Sequence, residues 1–81
     1  FRIRPNPVQD FLLVDYPDYS GGTLRATLHN VQGMLVGSAE QPGGQLRLVT
    51  QGLPAGVYAL RLWLDERYLG SKRVLVVRGK E

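Results

Sequence analysis

Alternation of apolar and polar side chains is the dominant pattern in the chain, and it is cleanest in residues 57–64. Tyr58, Leu60, Leu62 and Leu64 share one face there, and Val57, Ala59, Arg61 and Trp63 share the other. Successive strand side chains point to opposite faces, so this run predicts a central strand laying an apolar face on a core. Gly52-Leu53-Pro54-Ala55-Gly56 leads into it. Its glycines permit a sharp turn, and Pro54 fixes φ where no ladder donor is needed.

The same period recurs along the chain. Phe1-Arg2-Ile3-Arg4 alternates and then meets Pro5-Asn6-Pro7. That pair of prolines forbids helix and central strand alike, so the chain must turn or step to another sheet. Residues 11–16 form a second expected strand, ended by Pro17, and residues 18–22 a loop. In residues 23–31, Leu24, Ala26 and Leu28 share a face opposite Arg25, Thr27 and His29. Asn30-Val31-Gln32-Gly33 is a turn: Asn bonds its own backbone two residues on, and Gly tolerates the positive φ that closes a hairpin. Residues 34–40 form the return strand, ended by Gln41-Pro42-Gly43-Gly44, and residues 45–50 the next. After a loop at Asp65-Glu66-Arg67, residues 68–78 close the chain, with Gly70 as a bulge position. Val74, Leu75, Val76 and Val77 put apolar side chains on both faces, so this strand is either covered twice or an edge awaiting a partner. No ten-residue segment sustains a helical period. Seven short strands between Gly/Pro turns suit a sandwich or a small barrel, and an all-β antiparallel sandwich is the favoured arrangement.

At 81 residues there is room for one domain, residues 1–81. The chain has no cysteine, so neither disulfides nor thiolate chemistry enter. Ten Lys/Arg against seven Asp/Glu give a net charge of +3, which permits an acidic partner without requiring one. No apolar run approaches the roughly 18 residues of a membrane helix. The first residues do not form a signal peptide and there is no initiator Met. The chain therefore reads as a piece of something longer or a processed product.

Candidate chemistry is sparse. His29 falls on the outward face of a strand without an evident nucleophile or orienting carboxylate, and Ser20, Ser38 and Ser71 lie in plain turn or strand contexts. Asp10, Asp15 and Asp18 match no cation loop, and ordinary strand-end carboxylates are preferred. The Gly pairs precede no helix, so no phosphate cradle is expected. Trp63 is read as cover for the second sheet face rather than a stacking platform. The aromatics mostly alternate with core positions, which argues against nucleic-acid binding. Catalytic residues, metal and cofactors are all expected to be none.

Four stretches in order resemble one family. Pro5-Asn6-Pro7-Val8-Gln9-Asp10-Phe11-Leu12 is similar to its opening motif, and Leu28-His29-Asn30-Val31-Gln32-Gly33-Met34-Leu35-Val36 to its middle hairpin. Leu53-Pro54-Ala55-Gly56-Val57-Tyr58-Ala59-Leu60-Arg61 resembles its most recognisable motif, and Lys72-Arg73-Val74-Leu75-Val76 its last strand. The family is the C-terminal sorting domain of the type IX secretion system of Bacteroidota. The resemblance implies an immunoglobulin-like sandwich at the end of a larger exported protein, acting as a secretion signal. The implied partners are the outer-membrane translocon and its shuttle, a sortase-like cysteine protease and the parent cargo. The implied location is the periplasm in transit, then the outer membrane, cell surface or exterior. After export the protease usually removes such a domain, joining the cargo to an anionic lipopolysaccharide. The motif residues Pro5, Asn6, Pro7, Asp10, Asn30, Gly33, Leu53, Pro54, Gly56, Tyr58 and Leu60 are then structural. Family members often carry Gly where this chain has Asp65-Glu66-Arg67, so a longer loop or a type I turn is expected. Gly79-Lys80-Glu81 extends past the usual end.

The expected recognition surface is Lys72, Arg73, Val74, Leu75, Val76, Val77 and Arg78. Its apolar edge offers backbone pairing, and its cations deter self-pairing while steering toward an acidic receptor. Self-pairing through this strand is a further expected contact. The alternative reading is an accessory sandwich that binds carbohydrate or packs on a catalytic domain. An exposed Trp63 beside a groove would favour it.

Overall fold

The computed structural model describes residues 1–5 and 7–78. Readings that fall on Asn6 and on Gly79-Lys80-Glu81 lie outside the described residues. Seven strands form in chain order: β1 (Arg2–Arg4), β2 (Phe11–Asp15), β3 (Thr23–His29), β4 (Leu35–Pro42), β5 (Gln45–Val49), β6 (Gly56–Leu64) and β7 (Arg67–Val76). They make a three-stranded sheet, β1-β2-β5, and a four-stranded sheet, β4-β3-β6-β7, with every named strand pair antiparallel. This is an immunoglobulin-like sandwich.

Side-chain alternation builds the core between the sheets. Leu12 and Val14 of β2 face inward beside Leu48 and Leu46 of β5. Opposite them lie Leu24, Ala26 and Leu28 of β3, Tyr58, Leu60 and Leu62 of β6, and Val74 and Val76 of β7. Each fully buried leucine contributes about 1.5–3 kcal/mol relative to exposure. Such terms have to carry an 81-residue chain that has no disulfide.

The proline pair does step the chain between sheets. β1 pairs with β2, whereas Val8, just past Pro7, makes a parallel bridge to Val76. The Val8 N–H donates to the Leu75 carbonyl (2.9 Å), and the Val77 N–H donates to the Val8 carbonyl (2.8 Å). The β3–β4 turn also forms as its residues dictate. Asn30 Oδ1 accepts from the Gln32 and Met34 N–H groups (2.9 and 3.0 Å), and Gly33 holds φ 84°.

Two expectations need correction. The β6–β7 connection is neither a longer loop nor a type I turn: Leu64 pairs with Arg67, leaving the two residues Asp65 and Glu66. Asp65 takes φ 55°, held by its N–H on the Thr23 carbonyl (2.8 Å) and its Oδ1 on the Thr23 N–H (3.0 Å). A short polar side chain tolerates this region better than most, and here the bonds to Thr23, distant along the chain, hold it there. Gly22 makes room, since a Cβ there would lie 2.6 Å from Asp65 Oδ2. Secondly, β4 runs through Pro42 instead of stopping at Glu40. It is an edge strand, where a missing N–H is tolerated. The expected bulge is present, with Leu69 the extra residue between Gly70↔Leu62 and Tyr68↔Trp63.

Candidate recognition surface

β7 is the outer strand of the four-stranded sheet, and its residues divide sharply by parity. Val74 and Val76 are core, 3% and 1% exposed. Arg73 and Leu75 point to the outer face, and Lys72 lies at the margin, its Nζ 5.4 Å from the centre of the Phe1 ring. The two-sided apolar character of residues 74–77 thus has two causes. One face is core, and the other joins Leu75 to its ladder partner Val57 in an exposed apolar pair.

Arg78 is placed differently from Lys72 and Arg73. Its Nη1 donates to the Gln9 carbonyl (3.0 Å), Nη2 to the Thr50 carbonyl (2.9 Å), and both Nε and Nη2 to the Leu53 carbonyl. Asp10 lies 3.7 Å from Nη1 as a loose ion pair. The planar guanidinium fork thereby ties three segments together. Thr50, fully buried, completes the knot: its Oγ1 donates to the Gln9 carbonyl (2.8 Å) and its N–H to the Asp10 carbonyl (2.9 Å). Beside it the Tyr58 hydroxyl donates to the Pro54 carbonyl four residues upstream (2.6 Å). This is a tyrosine corner at the turn from β5 to β6. Sequence reasoning missed the Arg78 staple and the roles of Val8 and Thr50, because all three depend on contacts distant along the chain.

The remaining candidates fall apart as sites. Trp63 is half-buried, with the Arg25 guanidinium 4.3 Å over its ring and Tyr68 tilted against it at 5.5 Å. Arg25 occupies one ring face and Tyr68 packs against the ring, which disfavours Trp63 as a platform for a sugar. His29 stands in the ladder between Leu35 and Ala59, and its buried Nδ1 has no partner among the described residues. Asp15 accepts from Gln45 Nε2 and Arg4 Nε, each at 2.8 Å. The hydrogen bond from the Gln45 amide holds its carboxyl below the usual aspartate value; burial opposes this, and the Arg4 and Arg2 guanidinium groups lower it further. No three His, Asp or Glu residues cluster to hold a metal among the described residues.

The profile of the secretion system C-terminal sorting domain matches residues 2–77. The chain belongs to this family. Comparisons with curated proteins and with solved structures give no match. As a type IX sorting domain, the chain is an export signal acting with the secretion system and its cargo toward the cell surface or exterior. The residues of the family-like stretches have defined places in the sandwich. Pro5, Pro7 and Asp10 flank the step that seats Val8 on β7; Asn30 and Gly33 close a hairpin; Leu53, Pro54 and Tyr58 form the corner that Arg78 clasps. Leu60 is core, and Gly56 opens β6 opposite Val76. On the last strand Arg67, Tyr68, Ser71, Lys72, Arg73 and Leu75 are exposed, and of these Lys72, Arg73 and Leu75 lie in the stretch read from sequence as the recognition surface.

Proposed function

We propose that this domain carries its parent protein through the type IX translocon by presenting the exposed side of β7 to an outer-membrane receptor. The observation that supports this reading is the division of β7: Val74 and Val76 are buried in the core, Arg73 and Leu75 are exposed on the outer face, and Lys72 is exposed at the margin. Cations beside exposed apolar side chains steer an acidic partner and discourage self-association. A sortase-like protease then removes the domain and anchors the cargo to lipopolysaccharide at the surface. Fusing residues 1–81 to a periplasmic reporter in a bacterium with a type IX system tests the reading. The reporter reaches the outside with the domain and remains in the periplasm without it. Retention of the fused reporter would contradict it.

A further inference from the structure

The side of the sandwich between β1 and β7 is an open seam. β1 is the edge of one sheet and β7 the edge of the other. Between them lies a cleft of about 230 Å³, with Phe1, Ile3, Val8, Lys72, Arg73 and Val74 in its wall. The cleft exists because the N-terminal segment changes sheets. Val8 covers the end of β7 in parallel register, but residues 2–4 run on β2 instead. The stretch of β7 preceding Leu75 therefore has no strand beside it among the described residues.

The backbone of that stretch is primed for pairing. Leu75 gives its carbonyl, and Val77 its N–H, outward to Val8. Outward and inward groups alternate along a strand. Register with β6 is unbroken from Gly70 to Val76, so Ser71 and Arg73 also direct their N–H and carbonyl groups outward. No backbone partner meets them among the described residues.

We infer that residues 71–74 of β7 accept one added strand, supplied by a partner whose side chains alternate acidic and apolar. This rests on the reading of β7 as the recognition surface and specifies the chemistry of what is recognised. One parity of the incoming strand falls beside Arg73 on the outer face, where Arg61 and Arg25 also lie and Glu40 is the sole carboxylate on the named strands of that face. Carboxylates are complementary there. The other parity enters the seam, whose wall also carries Lys72 and Arg2; there apolar side chains fit against Val74, Ile3 and Phe1. Strand addition takes affinity from main-chain hydrogen bonds and selectivity from alternate side chains. A second copy is the poorer occupant: antiparallel pairing centred on Arg73 sets that cation against its own counterpart, and directly opposed like charges destabilise a ladder.

The test uses the 81-residue chain and two short peptides, one alternating valine and glutamate, the other valine and lysine, with amide exchange read by NMR. The glutamate peptide is expected to bind at least about tenfold more tightly and to slow exchange at Ser71 and Arg73. Arg73→Glu reverses the preference. Ser71→Pro, which removes an outward N–H and no ladder bond to β6, abolishes the protection while the melting transition stays. Equal binding of the two peptides, no binding, protection at β4 instead, or dimerisation through β7 would each overturn the inference. Export of the fused reporter is scored separately. Normal export by a Ser71→Pro fusion that no longer binds the glutamate peptide overturns strand addition alone, whereas failure of the unaltered fusion overturns the sorting role.

Discussion

Arg78→Ala is expected to be the most damaging single truncation outside the core. The guanidinium makes four hydrogen bonds to three carbonyls, those of Gln9, Thr50 and Leu53. Two of these carbonyls keep another donor when it is lost: Gln9 has Thr50 Oγ1, and Thr50 has the Leu53 N–H (3.1 Å). The bonds to Gln9 and Leu53 are also open to water, and the Arg78 side chain is 32% exposed, so the full desolvation cost does not apply. Counting roughly 1 kcal/mol net for each carbonyl gives about 2–3 kcal/mol. The Asp10 contact adds little, because Asp10 is 69% exposed. For a domain of this size the melting temperature should fall by on the order of 10–20 °C. Arg78→Lys retains the charge without the fork and should lose about 1–2 kcal/mol. Urea titration with an unchanged slope is the assay. An Arg78→Ala protein within about 0.5 kcal/mol of the parent would refute the staple.

Three further perturbations separate the supports of the fold. Tyr58→Phe removes only the bond to Pro54 and should cost about 1 kcal/mol in the same titration, while a null effect would reduce the corner to packing. Gly22→Ala forces a Cβ onto the Asp65 carboxylate at a residue holding φ 101°, and should destabilise by about 1–3 kcal/mol. Unchanged stability there would mean that Asp65 is not held by Thr23. Asp15 has a depressed pKa in the fold, so its contribution is complete above the unfolded aspartate value of about 3.9 and disappears as pH falls through the lower folded value. Melting curves of Asp15→Asn should therefore lose steepness in their pH dependence below about pH 4, and an unaltered acid slope would contradict the assignment.

Much of the sandwich was legible because alternation is a local property. The inward set of β6, the Asn30–Gly33 turn and the step after Arg4 all follow from neighbours within a few residues. Where the reading fell short, the cause lay far along the chain. Asp65 adopts a left-handed conformation because Thr23, 42 residues earlier, bonds it. Arg78 is a staple because carbonyls at Gln9, Thr50 and Leu53 converge on it. From sequence it is one more cation after an apolar strand, indistinguishable from Arg73. The character of residues 74–77 left two options open, and only sheet order decides between them: β7 is an edge, with its end covered by Val8.

That division between holding and presenting is the centre of the account, and one variant tests it directly. Lys72→Ala combined with Arg73→Ala removes two exposed cations and no core contact; the Lys72 contact over Phe1 is worth at most about 1 kcal/mol. In the reporter fusion this double variant should slow export markedly while its melting temperature stays within a few degrees of the parent. Export at the parental rate from an equally stable fold would contradict a signal read on the exposed side of β7.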